Sequence, residues 1–169
     1  EKAAQRGHAT AQCNLAYCYE QGIGVAEDKT KAVEWYARAA EQEHPRAMCN
    51  LGLCYEHGDG VEQDKAKAVE CYRKAAEQDY APAQCDLGLS YENGSGVEKD
   101  EARAAECYLQ AAEQDYAPAQ TNLAVCYFNG IGVDKDVECA HQWLEKAAEQ
   151  GQARAQSLLG SCYRDGDGV

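Results

Sequence analysis

Small and apolar residues recur along this chain at helical spacing, stop at a glycine-rich break, and then start again. Ala11, Leu15 and Tyr19 fall at i, i+4 and i+8 and lead into Gly22-x-Gly24-Val25. After Asp28, the residues Ala32, Trp35, Tyr36, Ala39 and Ala40 fall at i, i+3, i+4, i+7 and i+8. Both stripes predict amphipathic helices. The second is opened by an Asp whose short carboxylate can satisfy free N–H groups of the first turn. The whole pattern returns every 36 residues without insertion or deletion. Leu15, Leu51, Leu87, Leu123 and Leu159 keep the register, as do Tyr19, Tyr55, Tyr91, Tyr127 and Tyr163. So do Asp28, Asp64, Asp100 and Asp136, and the Gly-x-Gly-Val frames at Gly22, Gly58, Gly94, Gly130 and Gly166. First helices are predicted near 9–20, 45–56, 81–92, 117–128 and 153–164, and second helices near 29–43, 65–79, 101–115 and 137–150. Pro45, Pro82 and Pro118 sit in the first turn of a helix, where proline costs least. Gly or Ala at 16, 52, 88, 124 and 160 leaves room for close backbone approach.

A period of this length means one helical hairpin stacked on copies of itself. The expected fold is an all-α αα-hairpin solenoid of about four and a half repeats, one array over residues 1–169. Residues 1–6 match the end of a second helix (Lys2-Ala3-Ala4 against Lys74-Ala75-Ala76), and the last residues form a fifth Gly-x-Gly-Val. Both ends thus read as cut mid-repeat, as in a segment of a longer protein. The apolar faces at residues 1–6 and near 153–164 are expected to promote end-to-end self-association.

The order Ala, Leu-Gly, Tyr, Gly-x-Gly-Val, Asp, Lys-Ala, Trp-Tyr, Ala-Ala-Glu-Gln resembles the Sel-one-like repeat (SLR) family, a relative of the tetratricopeptide repeat, over essentially the whole chain. The stretch 50–78 carries nearly every defining position. The resemblance implies a right-handed superhelix of hairpins used as a protein-binding adaptor, and no enzyme activity. A secreted, cysteine-rich branch of that family has a disulfide in each repeat and has been linked to penicillin binding. That branch places a Cys at the end of the second helix, where this chain has Ala40, Ala76, Ala112 and Ala148, so its disulfide pattern does not transfer.

Charge narrows the partners. With 16 basic and 29 acidic side chains the formal net charge is −13, which disfavours nucleic acid and anionic membrane surfaces and favours basic partners. No apolar run approaches the about 20 residues that a membrane helix needs.

The 10 cysteines could be disulfides, metal ligands or small buried hydrophobes. Cys13 and Cys18, or Cys49 and Cys54, lie five apart on one helix, and an axial rise of about 7.5 Å keeps them from bridging. Register-equivalent cysteines are separated by a helix-packing distance of about 9 Å. Only cross-helix pairs such as Cys54 with Cys71, or Cys107 with Cys126, remain, and neither recurs. Trp35 and Trp143 share the slot of Cys71 and Cys107, and Ser90 shares that of Cys18, Cys54, Cys126 and Cys162. Such exchange points to packed thiols. No C-x-x-C or His/Cys pairing suits zinc, so neither metal nor cofactor is expected. Many thiols fit a reducing cytosol most simply, with a secreted or periplasmic location open.

Catalytic motifs are missing as well: no G-x-S-x-G, no phosphate loop, no H-E-x-x-H, and no strand before the repeated Gly-x-Gly. Function is therefore sought on a surface. At about 100° per residue, the side of the first helix opposite Ala11, Leu15 and Tyr19 carries three rows. These are Cys13, Cys49, Cys85, Thr121, Ser157; then Tyr17, Leu53, Leu89, Val125, Ser161; then Glu20, Glu56, Glu92, Phe128, Arg164. Beside them run Asn14, Asn50, Asp86 and Asn122. In tetratricopeptide relatives this side lines a concave groove. The expected function is a non-catalytic scaffold holding a peptide there, with apolar residues giving contact area, the Glu row meeting basic side chains, and the Asn row clamping backbone. The alternative is a thiol- or acyl-reactive enzyme like the penicillin-linked branch.

Overall fold

The computed structural model describes residues 1–165, so the fifth Gly-x-Gly-Val, from Gly166, lies outside the described residues. These residues form ten helices and no strand. They are α1 (Lys2–Gln5), α2 (Ala9–Gln21), α3 (Lys29–Ala40), α4 (Pro45–His57), α5 (Lys65–Ala76), α6 (Ala81–Asn93), α7 (Glu101–Glu113), α8 (Ala117–Asn129), α9 (Val137–Glu149) and α10 (Ala153–Asp165). The chain divides into two compact units, one ending at Ala83 and the next beginning at Gln84, within α6. In the first unit, α1 packs on α2, α2 on α3, α3 on α4, and α4 on α5. In the second, α7 packs on α8, α8 on α9, and α9 on α10.

The second helices start as the sequence pattern requires. The carboxylates of Asp28, Asp64, Asp100 and Asp136 each accept the N–H three residues on, at 2.9–3.0 Å. Their own N–H groups donate to the carbonyls of Tyr19, Tyr55, Tyr91 and Tyr127, which ties each cap to the preceding helix of its hairpin. Lys31, Lys67 and Arg103 then lie over the rings of Tyr19, Tyr55 and Tyr91, 5.5–5.7 Å from the centroids. These contacts explain why Tyr and Asp keep the same period.

The second helices end earlier than expected. α3 and α5 stop at Ala40 and Ala76 instead of 43 and 79, and α7 stops at Glu113 instead of 115. Glu43, Asp79 and Asp115 adopt left-handed φ values of 58°, 56° and 59°, in the slot that Gly7 and Gly151 fill elsewhere. The chain folds back so that His44, Tyr80 and Tyr116 N–H donate to Ala39, Ala75 and Ala111 carbonyls, which closes the helix as a Schellman-type turn. A wheel of apolar positions cannot show this, because polar residues fill the turn.

The core of each hairpin is alanine packed around one large side chain. Ala32, Tyr36 and Ala39 are buried on α3, Ala68, Tyr72 and Ala75 on α5, Ala104, Tyr108 and Ala111 on α7, and Ala140, Leu144 and Ala147 on α9. The first helices bury a wider arc than Leu15 and Tyr19 mark. Gln12, Cys13 and Ala16 join Leu15 in α2, while Ala11 is only half-buried. Gln12 illustrates the reason: its amide donates to Ala4 O at 3.2 Å on one side and accepts from Gln42 at 2.7 Å on the other. A first helix therefore touches the preceding repeat as well as its own partner helix.

Glycines serve two purposes. Gly22, Gly58 and Gly130 are left-handed C-caps whose N–H returns to Cys18, Cys54 and Cys126 O. The second glycine of the frame has another task. A Cβ on Gly60 would collide with the backbone carbonyl of Lys29, and one on Gly132 with that of Glu101, whereas Gly24 faces nothing within 4 Å. The loop of one hairpin is thus pressed on the helix start of the hairpin before it. Gly24→Ala is expected to cost about 1 kcal/mol from left-handed strain alone. Gly60→Ala and Gly132→Ala should cost clearly more in urea unfolding, and equal losses for all three would show that the loop contact is not tight.

Candidate binding strip on the first helices

The expected site residues lie at or near the surface of the first helices. On α2 and α4, Asn14 is exposed, Tyr17 is 40% exposed, and Glu20, Asn50, Leu53 and Glu56 are half-buried. The Arg46 guanidinium stands 5.8 Å from the Tyr17 ring centroid, which joins the two helices across the strip. In the second unit, Leu89 is 38% exposed and Asp86, Glu92, Asn122, Val125 and Phe128 are half-buried. A cavity of about 240 Å³ brings together Leu89, Glu92, Asn122 and Val125 with Asn93 and Arg154. A second cavity of about 470 Å³ has Val125, Phe128 and Leu158 with Lys135 and Arg154 on its lining. Asp86 lines neither.

One expected row is misplaced. Cys13, Cys49, Cys85 and Thr121 are buried, and only Ser157 on α10 is exposed. Asn122 Nδ2 approaches Cys85 Sγ at 3.7 Å, so this row faces the next first helix and not the groove. Small side chains there allow neighbouring first helices to approach.

The carboxylate row holds inward contacts that periodicity did not reveal. Tyr36 donates its hydroxyl to Glu20 at 2.9 Å, Tyr72 to Glu56 at 2.6 Å, and Tyr108 to Glu92 at 2.5 Å. Each tyrosine belongs to the second helix of the same hairpin, and each carboxylate is held at the edge of the strip by one oxygen. Burial pushes the Tyr36 and Tyr108 hydroxyls far above the ordinary phenol value, and the bonded carboxylate adds to the shift. The fourth repeat changes both partners together, to Phe128 and Leu144. Phe128 instead meets the edge of the His141 ring at 5.2 Å. His141 is buried, with Nδ1 2.9 Å from Val137 O and Nε2 without a hydrogen-bond partner.

Asparagines in the row tie helices together. Asn50 acts on the Tyr36 hydroxyl, lowering its pKa against the stronger effect of burial, and Asn122 accepts from Arg154 at 2.9 Å. Lys135 and Arg154, the two cations of the larger cavity, were missed because attention went to positions that repeat. Their signal is comparison with the preceding repeats: Arg154 stands in the slot of Arg46, Pro82 and Pro118, and Lys135 repeats Lys99 but has Val137 where Glu101 pairs with Lys99.

The Sel1 repeat profile matches residues 9–44, 45–80, 81–116, 117–152 and 153–169. The chain belongs to the Sel1 repeat family. Members of that family are generally protein-interaction scaffolds and typically not enzymes. Comparison with curated proteins finds no match. Among solved structures, a protective antigen of uropathogenic Escherichia coli with an SLR fold is 42% identical over 99% of this chain and 36% of its own, with TM-score 0.93. A Sel1 repeat protein from Oxalobacter formigenes is 38% identical over 96% of this chain and 66% of its own, with TM-score 0.91. The chain therefore spans about a third and just under two thirds of these two relatives. Helicobacter pylori cysteine rich protein B is 27% identical over 78% of this chain and 95% of its own, with TM-score 0.62.

Cysteine count alone does not make this Sel1 repeat chain like the last of these. All ten cysteines lie within the described residues and none forms a disulfide, including the pairs Cys54/Cys71 and Cys107/Cys126. Burial pushes the thiols of Cys54 and Cys85 up to about 12, and those of Cys71, Cys107 and Cys126 up to about 11. No group of three or more His, Cys, Asp or Glu among the described residues could hold a metal, and no helix there is long and apolar enough to cross a membrane.

Three outcomes are expected. Tyr108→Phe should destabilise by about 1–2 kcal/mol through the lost bond to Glu92. The fourth-repeat set, Glu92→Phe with Tyr108→Leu, should cost less than the sum of its single changes in a double-mutant cycle. Strict additivity would sever the hydroxyl–carboxylate bond from the paired exchange at 128 and 144. Iodoacetamide labelling of Cys54, Cys71, Cys85, Cys107 and Cys126 in the native protein, read by peptide mapping, should be slow at pH 8 and still rising at pH 10, because thiols titrating near 11–12 hold little thiolate below that range. Rapid labelling of Cys54 or Cys85 at pH 8 would contradict this.

Proposed function

We propose that this Sel1 repeat chain is a non-catalytic scaffold that holds a peptide or protein segment along the exposed strip of its first helices. The observation that carries this reading is the pair of cavities in the second unit, which share Val125 and Arg154 and are lined by Leu89, Glu92, Asn122 and Phe128. Apolar side chains there lie beside polar groups whose geometry is already fixed by bonds to neighbouring helices, so little side-chain freedom is lost on binding. In the first unit, Tyr17 and Leu53 supply apolar surface beside Glu20 and Glu56, a combination suited to a partner with basic side chains. Asn14 and Asp86 complete the strip.

The thiol- or acyl-reactive alternative has less support. Six of the ten thiols are buried, and burial holds those of Cys54, Cys85, Cys107 and Cys126 protonated. Tyr163, 57% exposed on α10, offers an apolar contact for self-association, which light scattering over a concentration series reads directly.

The scaffold reading is tested by selecting ligands from a random peptide display library on the full chain. Leu89→Asp and Val125→Asp should abolish binding of the selected peptides, while Glu106→Lys on the exposed face of α7 should leave it intact. Selection of no ligand, or ligands that ignore the strip substitutions, would sink the proposal.

A further inference from the structure

We propose that the cavity between α8 and α10 binds an internal acidic residue of an extended partner segment, an Asp or Glu flanked by an apolar side chain; this rests on the scaffold reading above. The chain as a whole carries 29 acidic against 16 basic side chains, yet among the described residues this cavity is lined by Lys135 and Arg154 and by no carboxylate. That reversal has local causes. Lys99, one repeat earlier, is neutralised by Glu101 at 2.7 Å, but Val137 occupies the corresponding place after Lys135, which forms no ion pair among the described residues. The Glu of the inner row is likewise absent, because Phe128 fills the slot of Glu20, Glu56 and Glu92. Phe128 thus removes the acid that three earlier repeats carry, Val137 removes the neighbour that neutralises Lys99, and Arg154 adds a cation that Pro82 and Pro118 do not, all around a single opening.

Arg154 is also aimed. Asn122 Oδ1 accepts from one guanidinium nitrogen at 2.9 Å, which fixes the side chain along the strip and leaves its other N–H groups for a carboxylate. Val125, Phe128 and Leu158 line the same cavity and supply the apolar contact. Arg154 and Val125 also line the adjoining cavity at Leu89 and Glu92, so the site continues past the cations without an end wall. A chain terminus needs such a wall, and a side-chain carboxylate on a segment passing through does not. Glu92, held by Tyr108, then repels a second acidic residue on that side and sets the direction of the segment.

The experiment uses the full chain and an array of short acetylated, amidated peptides with an apolar-x-apolar centre, where x is Glu, Gln or Lys and the flanks are randomised. Peptides with Glu should bind about tenfold more tightly than their Gln counterparts, with Lys weakest. Lys135→Glu and Arg154→Gln should each erase that preference without shifting the thermal unfolding midpoint, and raised salt should weaken only the Glu series. Equal binding of Glu and Gln peptides, or a preference unmoved by both substitutions, overturns the proposal. So does binding that requires a free C-terminal carboxylate, which would assign the cations to a chain end. If the display selection on the same strip still yields ligands, only this inference falls; if it yields none, the scaffold reading falls with it.

Discussion

Each inner hairpin is held by an aromatic ring seated against a residue too small to resist it. A Cβ built on Gly52 would lie 2.5 Å from Cε1 of Tyr72, and one on Gly88 2.6 Å from Cε1 of Tyr108. The ring thereby sets how closely the two helices approach, and its hydroxyl emerges on the far side to donate to Glu56 or Glu92. One side chain contributes burial, spacing and a polar tether at once. The first hairpin has Ala16 and Tyr36 in one buried cluster. In the fourth, Ala124 accompanies Leu144, and the carboxylate at the end of the line becomes Phe128. Geometry and polarity change together because one ring linked them.

This link bears on function. The strip owes its acidic residues to an internal requirement, since a buried phenol needs an acceptor. Where Leu144 removes the phenol, the requirement lapses and the strip is free to change character. It does so at Phe128, with Lys135 and Arg154 lining the same cavity. An interior substitution thus coincides with a change of character at an exterior position.

The hairpins, their caps and their period were legible because Leu15, Tyr19, Asp28 and Gly22 repeat, and repetition marks what every copy needs. Ends of second helices were less so, since Glu43, Asp79 and Asp115 adopt a left-handed turn with nothing in their side chains to announce it. Helical periodicity separated inside from outside for α3 but misjudged α2, which is buried against more than its hairpin partner and so hides Gln12 and Cys13. Leu89, Val125 and Phe128 were legible as positions at or near the surface of the first helices, whereas Lys135 and Arg154 lie outside the rows that recur in every repeat. In a repeat protein, architecture lies in what recurs and specificity in what does not.

The glutamine row shows the mechanical side of the same rule. Gln42 bonds Gln12, Gln114 bonds Gln84, and Gln150 bonds Gln120, each at 2.7–2.9 Å, while Gln12, Gln120 and Gln156 also reach back to the carbonyls of Ala4, Ala112 and Ala148. Met48 interrupts the row. It has no amide to offer Gln78 or Ala40, and a cavity of about 650 Å³ lined by Met48, Gln78 and Ala40 takes the place of the rivet. The seam between α3 and α4 thus lacks the glutamine-to-carbonyl bond that Gln12, Gln120 and Gln156 make, and faster amide exchange is expected there than at those three places.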